Sequence, residues 1–139
     1  MRKYGGDDKA KELGLTPLAR IVATGVSGLS PEIMGLGPIE ATRKALANAG
    51  MTIDDIDLYE INEAFAVQVL GSARELGMDH DKLNVSGGAI ALGHPFGMTG
   101  ARITATLLNN LQTQDKTFGI ESMCVGGGQG MAMVVERLS

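Results

Sequence analysis

The apolar positions along the chain change period several times, and each change marks an element. Residues 18–26, Leu-Ala-Arg-Ile-Val-Ala-Thr-Gly-Val, are rich in β-formers and partly continuous in apolar character, which predicts a strand. Ser30-Pro-Glu-Ile-Met-Gly-Leu-Gly-Pro38 follows, with two prolines and two glycines, and reads as a loop. Ile39, Thr42, Ala45, Leu46 and Ala49 then recur at helical spacing, with Pro38 suited to a first turn and Gly50 to a stop. A short strand is expected over 53–61, where the chain reads DIDLYEI. A helix is expected over 63–76, with Asn62 as its N-cap, Glu63 facing the positive end of the dipole and Gly77 ending it. Its first half, residues 64–70, is apolar on nearly every side, the pattern of a buried helix. Another helix starts at Thr99 or Gly100 and runs to about Leu111. Strands at 117–125 and 131–137 close the chain around the glycine-rich turn 126–130. Residues 1–8 read as a loose leader, and residues 8–13 as a short helix stopped by Gly14. The order βαβαβαββ predicts an α/β fold, a mixed sheet with helices on its faces. No internal repeat or low-complexity tract interrupts it.

Composition adds boundaries to this picture. The 139 residues are 44% hydrophobic and 20% charged, which suits one globular domain able to bury a core without disulfides or metals. Tryptophan is absent, so the core must be aliphatic and rich in methionine. The net charge is −4 and the lysines and arginines are scattered, so nucleic acid is not an expected partner. No apolar run approaches the roughly 18–20 residues of a membrane span, and the charged start MRKYGGDDKAKELG is unlike a signal peptide. A single cysteine cannot form an internal disulfide. Together these features predict a reducing, cytoplasmic setting.

Candidate chemistry lies at three places. His94, one of two histidines, sits inside GGAIALGHPFGMTGAR. It can be a loop residue bonded to backbone. Gly93 and Pro95, however, fix the backbone around it, and glycine lets a ligand approach. The helix that follows turns its N-terminal amides toward the loop, which disfavours an imidazolium and suits a neutral general base. Cys124 can be a small buried hydrophobe, or, ending a strand against a triple glycine, a proton-transfer or nucleophilic group beside an oxyanion hole. Asn62 and Glu63 need no role beyond a helix start. The glycine clusters lack the order of a nucleotide fingerprint, and Asp79-His80-Asp81 reads as a solvated loop, so no metal site is predicted.

Taken together, Asn62-Glu63-Ala64-Phe65-Ala66, Gly93-His94-Pro95 and Cys124-Val125-Gly126-Gly127-Gly128 closely resemble, in order and spacing, the C-terminal half of thiolases. Those enzymes make or cleave 3-ketoacyl-CoA thioesters. The loop Met34-Gly35-Leu36-Gly37-Pro38 resembles the family too, and the likeness covers residues 9–139. It implies one half of a thiolase-like fold. His94 would activate a nucleophilic cysteine and help bind the thioester oxygen. Asn62 would hold a water joining His94 in that first oxyanion hole. Cys124 would shuttle the proton at the substrate's α-carbon, and the Gly126 N–H would serve a second oxyanion hole. Met34 and Phe65 would line the acyl pocket. Coenzyme A thioesters would be substrates, with no bound cofactor, and a homo-oligomer is implied.

The family's nucleophilic cysteine belongs to an N-terminal half, and the one cysteine here matches the proton shuttle. The segment contacting most of coenzyme A also lies in sequence not present here. The expectation is half an active site, inactive alone and completed by an N-terminal half. The alternative is a non-catalytic module that binds acyl-CoA or associates with other chains.

Overall fold

The structure, a computed structural model, describes residues 6–139. Its centre is a four-stranded mixed sheet of β1 (Ala19–Gly28), β2 (Leu58–Ile61), β3 (Phe118–Val125) and β4 (Gln129–Arg137), in the order β1-β4-β3-β2. β4 is antiparallel to both β1 and β3, and β2 is parallel to β3. Helices α2 (Gly37–Ala49) and α3 (Ala66–Leu76) cover one face, and α5 (Thr99–Thr113) covers the other. The larger core joins Ala41, Ala45 and Leu46 of α2 and Val69 and Ala73 of α3 to Tyr59, Ile61, Ile120, Ala132 and Val134 of the sheet. A smaller cluster under α5 joins Leu107 and Leu111 to Leu58 and Val135. Alternation along the strands assigns each side chain to one of these layers.

Small residues let α2 approach closely. A Cβ at Gly25 of β1 would overlap the backbone of Ala41 and Ala45, so α2 rests directly on that strand. α2 ends at Gly50 in the left-handed conformation (φ 68°), the expected stop.

The α/β class and mixed sheet are as expected, and the order differs in one place. Between α3 and α5 there is no additional strand: the chain makes a 3-10 turn at His80–Lys82, a single bridge from Leu83 to Tyr59, and the short helix α4 (Ala89–Leu92). The strand expected over 53–61 is confined to Leu58–Ile61. Residues 53–55 form a 3-10 turn instead, because the Asp55 carboxylate accepts from the Thr52 N–H (2.7 Å) and hydroxyl (2.9 Å). At the N-terminus α1 spans Gly6–Glu12, so residues 6–8 of the expected leader are helical, and residues 1–5 lie outside the described residues. Among the described residues no helix is long and apolar enough to cross a membrane.

The expected buried helix is the clearest correction. α3 begins at Ala66, with Phe65 rather than Asn62 in the capping position. It lies at the margin of the sheet: Val69 and Ala73 are buried, while Phe65, Val67 and Leu70 are 68%, 78% and 52% exposed. All-round apolarity here serves one face packed on the core and another facing outward.

Candidate active site

Because β2 and β3 are parallel, their C-terminal ends lie side by side. The Asn62 N–H donates to the Ser122 carbonyl (2.9 Å), continuing the pairing one step past the strand. Beyond that edge, the end of β2, the loop after α4 and the β3–β4 turn enclose a cavity of about 700 Å³. The outer end of parallel strands is where α/β sheets commonly bind ligands. Met34, Phe65, His94, Cys124 and Gly126 all line this cavity. Asn62 does not. It is fully buried, immediately before Glu63 and Ala64, which do line it.

His94 is half-buried and follows α4, which ends at Gly93 with a φ of 93°. Its Nδ1 lies 2.6 Å from the Thr99 hydroxyl, and that hydroxyl donates to the Pro95 carbonyl (3.1 Å). A hydroxyl has one proton. With that proton on Pro95, the Thr99 oxygen accepts from Nδ1–H, and a neutral His94 ring keeps Nε2 bare as its basic atom. The Phe96 ring meets His94 edge-on at 5.1 Å and is itself 86% exposed.

Cys124 is the penultimate residue of β3 and is buried. Burial pushes its thiol above the usual range, with its own backbone hydrogen bond acting weakly in the other direction. The resting group is therefore a protonated thiol, a proton donor at neutral pH. Gly126 follows on the exposed part of the turn into β4. At Gly128, with φ 86°, a Cβ would strike the Leu29 carbonyl, and its own carbonyl accepts from the Leu29 N–H (2.8 Å), which holds the turn to the rest of the domain.

The helix-cap reading of Asn62 and Glu63 is replaced by a different arrangement. The Glu63 carboxylate accepts from Asn84 Nδ2 (3.0 Å) and from the Ile90 N–H in α4 (2.9 Å). Asn84 also pairs with both polar backbone groups of Ile61, at 2.8 and 2.9 Å, and so closes the free edge of β2. Glu63 fits against Gly88, where a Cβ would strike its carboxyl group. This clamp ties the end of β2 to the segment carrying His94. Asn62 Oδ1 accepts from Arg102 Nη2 (3.5 Å), and Arg102 Nη1 lies 3.4 Å from Glu60 Oε1. The contacts that Glu63, Thr99, Arg102 and Glu60 make around the site are what pattern reading missed. Their partners are distant in sequence or belong to loops, so no periodicity marks them. Asp79 accepts from the Asp81 N–H, capping a short turn, as suits the solvated-loop reading of that segment.

A model of the family described as "Thiolase, C-terminal domain" matches residues 15–137. The chain is 56% identical over 133 residues to an acetyl-CoA acetyltransferase of Escherichia coli (strain K12), covering 96% of this chain and 34% of that protein. It is 55% identical over 133 residues to a 3-ketoacyl-CoA thiolase of Saccharophagus degradans (strain 2-40), covering 94% and 34%. A crystal structure of human mitochondrial 3-ketoacyl-CoA thiolase in complex with CoA superimposes with a TM-score of 0.92 at 49% identity, over 96% of this chain and 34% of that one. The chain thus spans about a third of the length of the curated relatives it matches.

Proposed function

The chain belongs to the thiolase family, as its C-terminal domain, and on that premise we propose that it supplies the acid–base and oxyanion-binding half of a site that forms or cleaves 3-ketoacyl-CoA thioesters. The observation that carries this reading is the convergence of His94, Cys124 and Gly126 on one cavity.

Nε2 takes the S–H proton of a nucleophilic cysteine supplied by an N-terminal half, and the resulting thiolate attacks the thioester carbonyl. Once protonated, Nε2–H becomes a donor to the thioester oxygen, joined by a group held on Asn62. In the condensing direction, the first thioester expels its CoA thiolate, which leaves with the Cys124 S–H proton, and the Cys124 thiolate so formed removes the α-proton of a second acyl-CoA. The enolate attacks the acyl-enzyme, the C–C bond forms, and the cysteine of the N-terminal half leaves as its thiolate and takes its proton back from Nε2–H. Thiolysis runs the same steps backward, with Cys124–SH returning the proton to the α-carbon. Each oxyanion donor is worth on the order of 3 kcal/mol to the transition state. Gly126 N–H serves the second oxyanion, while Met34 and Phe65 border the acyl chain. The apolar rim at Phe65, Val67, Ile90 and Phe96, all exposed in this chain, offers a seat for the N-terminal half.

The test is thiolysis of acetoacetyl-CoA by coenzyme A. The 139-residue chain alone is expected to show no turnover. Combined with a nucleophile-bearing N-terminal half it is expected to turn over, and His94→Ala and Cys124→Ala each to reduce kcat by roughly 100-fold or more. Turnover by the chain alone that disappears in Cys124→Ala would make Cys124 the nucleophile and overturn this division of roles.

A further inference from the structure

Resting on the reading of His94 and Asn62 as joint binders of a thioester oxygen, we propose that the first turn of α5 orients both: Thr99 sets the ring of His94, and Arg102, steadied by Glu60, sets the amide of Asn62. Thr99 and Arg102 are three apart and so share one face of the helix. Neither lines the cavity, so both are positioning residues.

On the Thr99 side, the hydroxyl is fully buried and its proton is committed to the Pro95 carbonyl. At 2.6 Å from Nδ1 it therefore accepts, which selects one tautomer and one ring orientation. Without it, either ring nitrogen of a neutral His94 could hold the proton.

On the Arg102 side, the logic is donor against acceptor. A guanidinium can only donate. The Asn62 atom facing it must be Oδ1, because a flipped amide would set NH2 against N–H. Asn62 Nδ2 is then the remaining donor, and it finds no acceptor among the described residues although the side chain is fully buried. It is the atom free to hold a group for the oxyanion. Arg102 itself is buried to 11% exposure, with Glu60 (1%) as its counter-charge. Glu121, in register with Glu60 on β3, adds a second carboxylate to the cluster. Separations of 3.4 and 3.5 Å are long for hydrogen bonds, so the hold on Asn62 is mainly the field of a buried cation.

The experiment compares Thr99→Val and the charge-neutral pair Arg102→Met with Glu60→Gln against Asn62→Ala and His94→Ala, in the enzyme combined with its N-terminal half. Each positioning variant is expected to lower kcat roughly 10–100-fold, the range seen when outer partners of working residues are lost. The acyl-CoA KM and the melting midpoint are expected to stay near those of the parent. Thr99→Ser should restore the rate, and Arg102→Lys, which keeps the charge, should fall between parent and pair and tests that side of the proposal should the pair fail to fold. Imidazole nitrogen NMR of the 139-residue chain alone carrying His80→Gln, where His94 is then the one ring, is expected to place the proton on Nδ1, and Thr99→Val to mix the tautomers. Parental kcat in both positioning variants, alongside impaired Asn62→Ala and His94→Ala, would overturn the inference and leave the site reading standing. Unimpaired Asn62→Ala or His94→Ala would overturn the reading beneath it. A parent ring protonated on Nε2 would overturn the Thr99 half.

Discussion

Cys124 and Glu63 illustrate how single residues acquire their chemistry from what surrounds them. Among the described residues no positive charge acts on the Cys124 thiol, and burial raises it. Alkylation of the 139-residue chain by iodoacetamide at pH 8 is therefore expected to run slower than for a free cysteine thiol. The rate should still be climbing where the free thiol has reached its plateau. Because the chain has one cysteine, mass spectrometry reads this directly. Glu63 has the opposite kind of role: it touches an amide side chain and a backbone N–H, and its loss frees α4. Glu63→Ala is expected to cost about 2 kcal/mol, the scale of hydrogen bonds to a charged group. Faster hydrogen exchange at the Ile90 amide would locate the loss in the His94 segment.

Elements meet here through small residues as much as through large ones. Where α2 lies on β1, Gly25 leaves no room for a methyl group between the strand and the Ala41 carbonyl. Gly25→Ala is expected to destabilise by roughly 3 kcal/mol or more, since backbone atoms of two packed elements must separate. Gly71 is the contrasting case, inside α3 with open space where its Cβ would stand. Gly71→Ala is expected to stabilise by about 0.5–1 kcal/mol. Urea denaturation of both variants tests the pair. Strand register matters equally. Cys124 pairs with Gly130 and shares its face of β3 with Ile120 and Ser122. A slip by one residue would turn the thiol to the face toward α5, where Met123 now lies.

At the scale of the whole molecule, two buried carboxyls shape the pH response. Burial pushes both Glu60 and Glu121 up to about 7. For Glu60, Arg102 opposes the rise and Glu63 adds to it; for Glu121, the charge of Glu60 adds to it. Between the ordinary carboxyl value of 4.5 and about 7, the unfolded chain has released these protons while the folded chain keeps them. Stability therefore falls as pH rises through that window and levels off above it. Glu121→Gln is expected to raise stability at pH 8 by on the order of 1–3 kcal/mol and to flatten the decline, as thermal melts from pH 4.5 to 8 would record. The exposed rim of Phe65, Val67, Leu70, Ile90 and Phe96 gives a second whole-molecule expectation. The isolated chain should bind a hydrophobic dye and self-associate on size-exclusion chromatography, and Val67→Ser with Phe96→Ser should weaken both without lowering the melting midpoint.

The sequence by itself determined the α/β class, the placement of α2, α5, β3 and β4 to within a few residues, and the three motifs from which the family is legible. It could do so because core-facing periodicity and glycine punctuation are local signals, and because Asn62, His94 and Cys124 stand at a specific order and spacing. The tertiary structure decided the rest. The Thr52–Asp55 cap shortened β2, and the margin of the sheet left half of an apolar helix exposed. Asn62 ceased to be a helix cap because its neighbour Glu63 bonds instead to Asn84 and Ile90, residues 21 and 27 positions away. Arg102, 40 positions from Asn62, and Glu60, 42 positions from Arg102, meet only when α5 lies across β2. Contacts between elements leave no period in the chain, so the geometry that aims each working side chain exists only once the layers have packed.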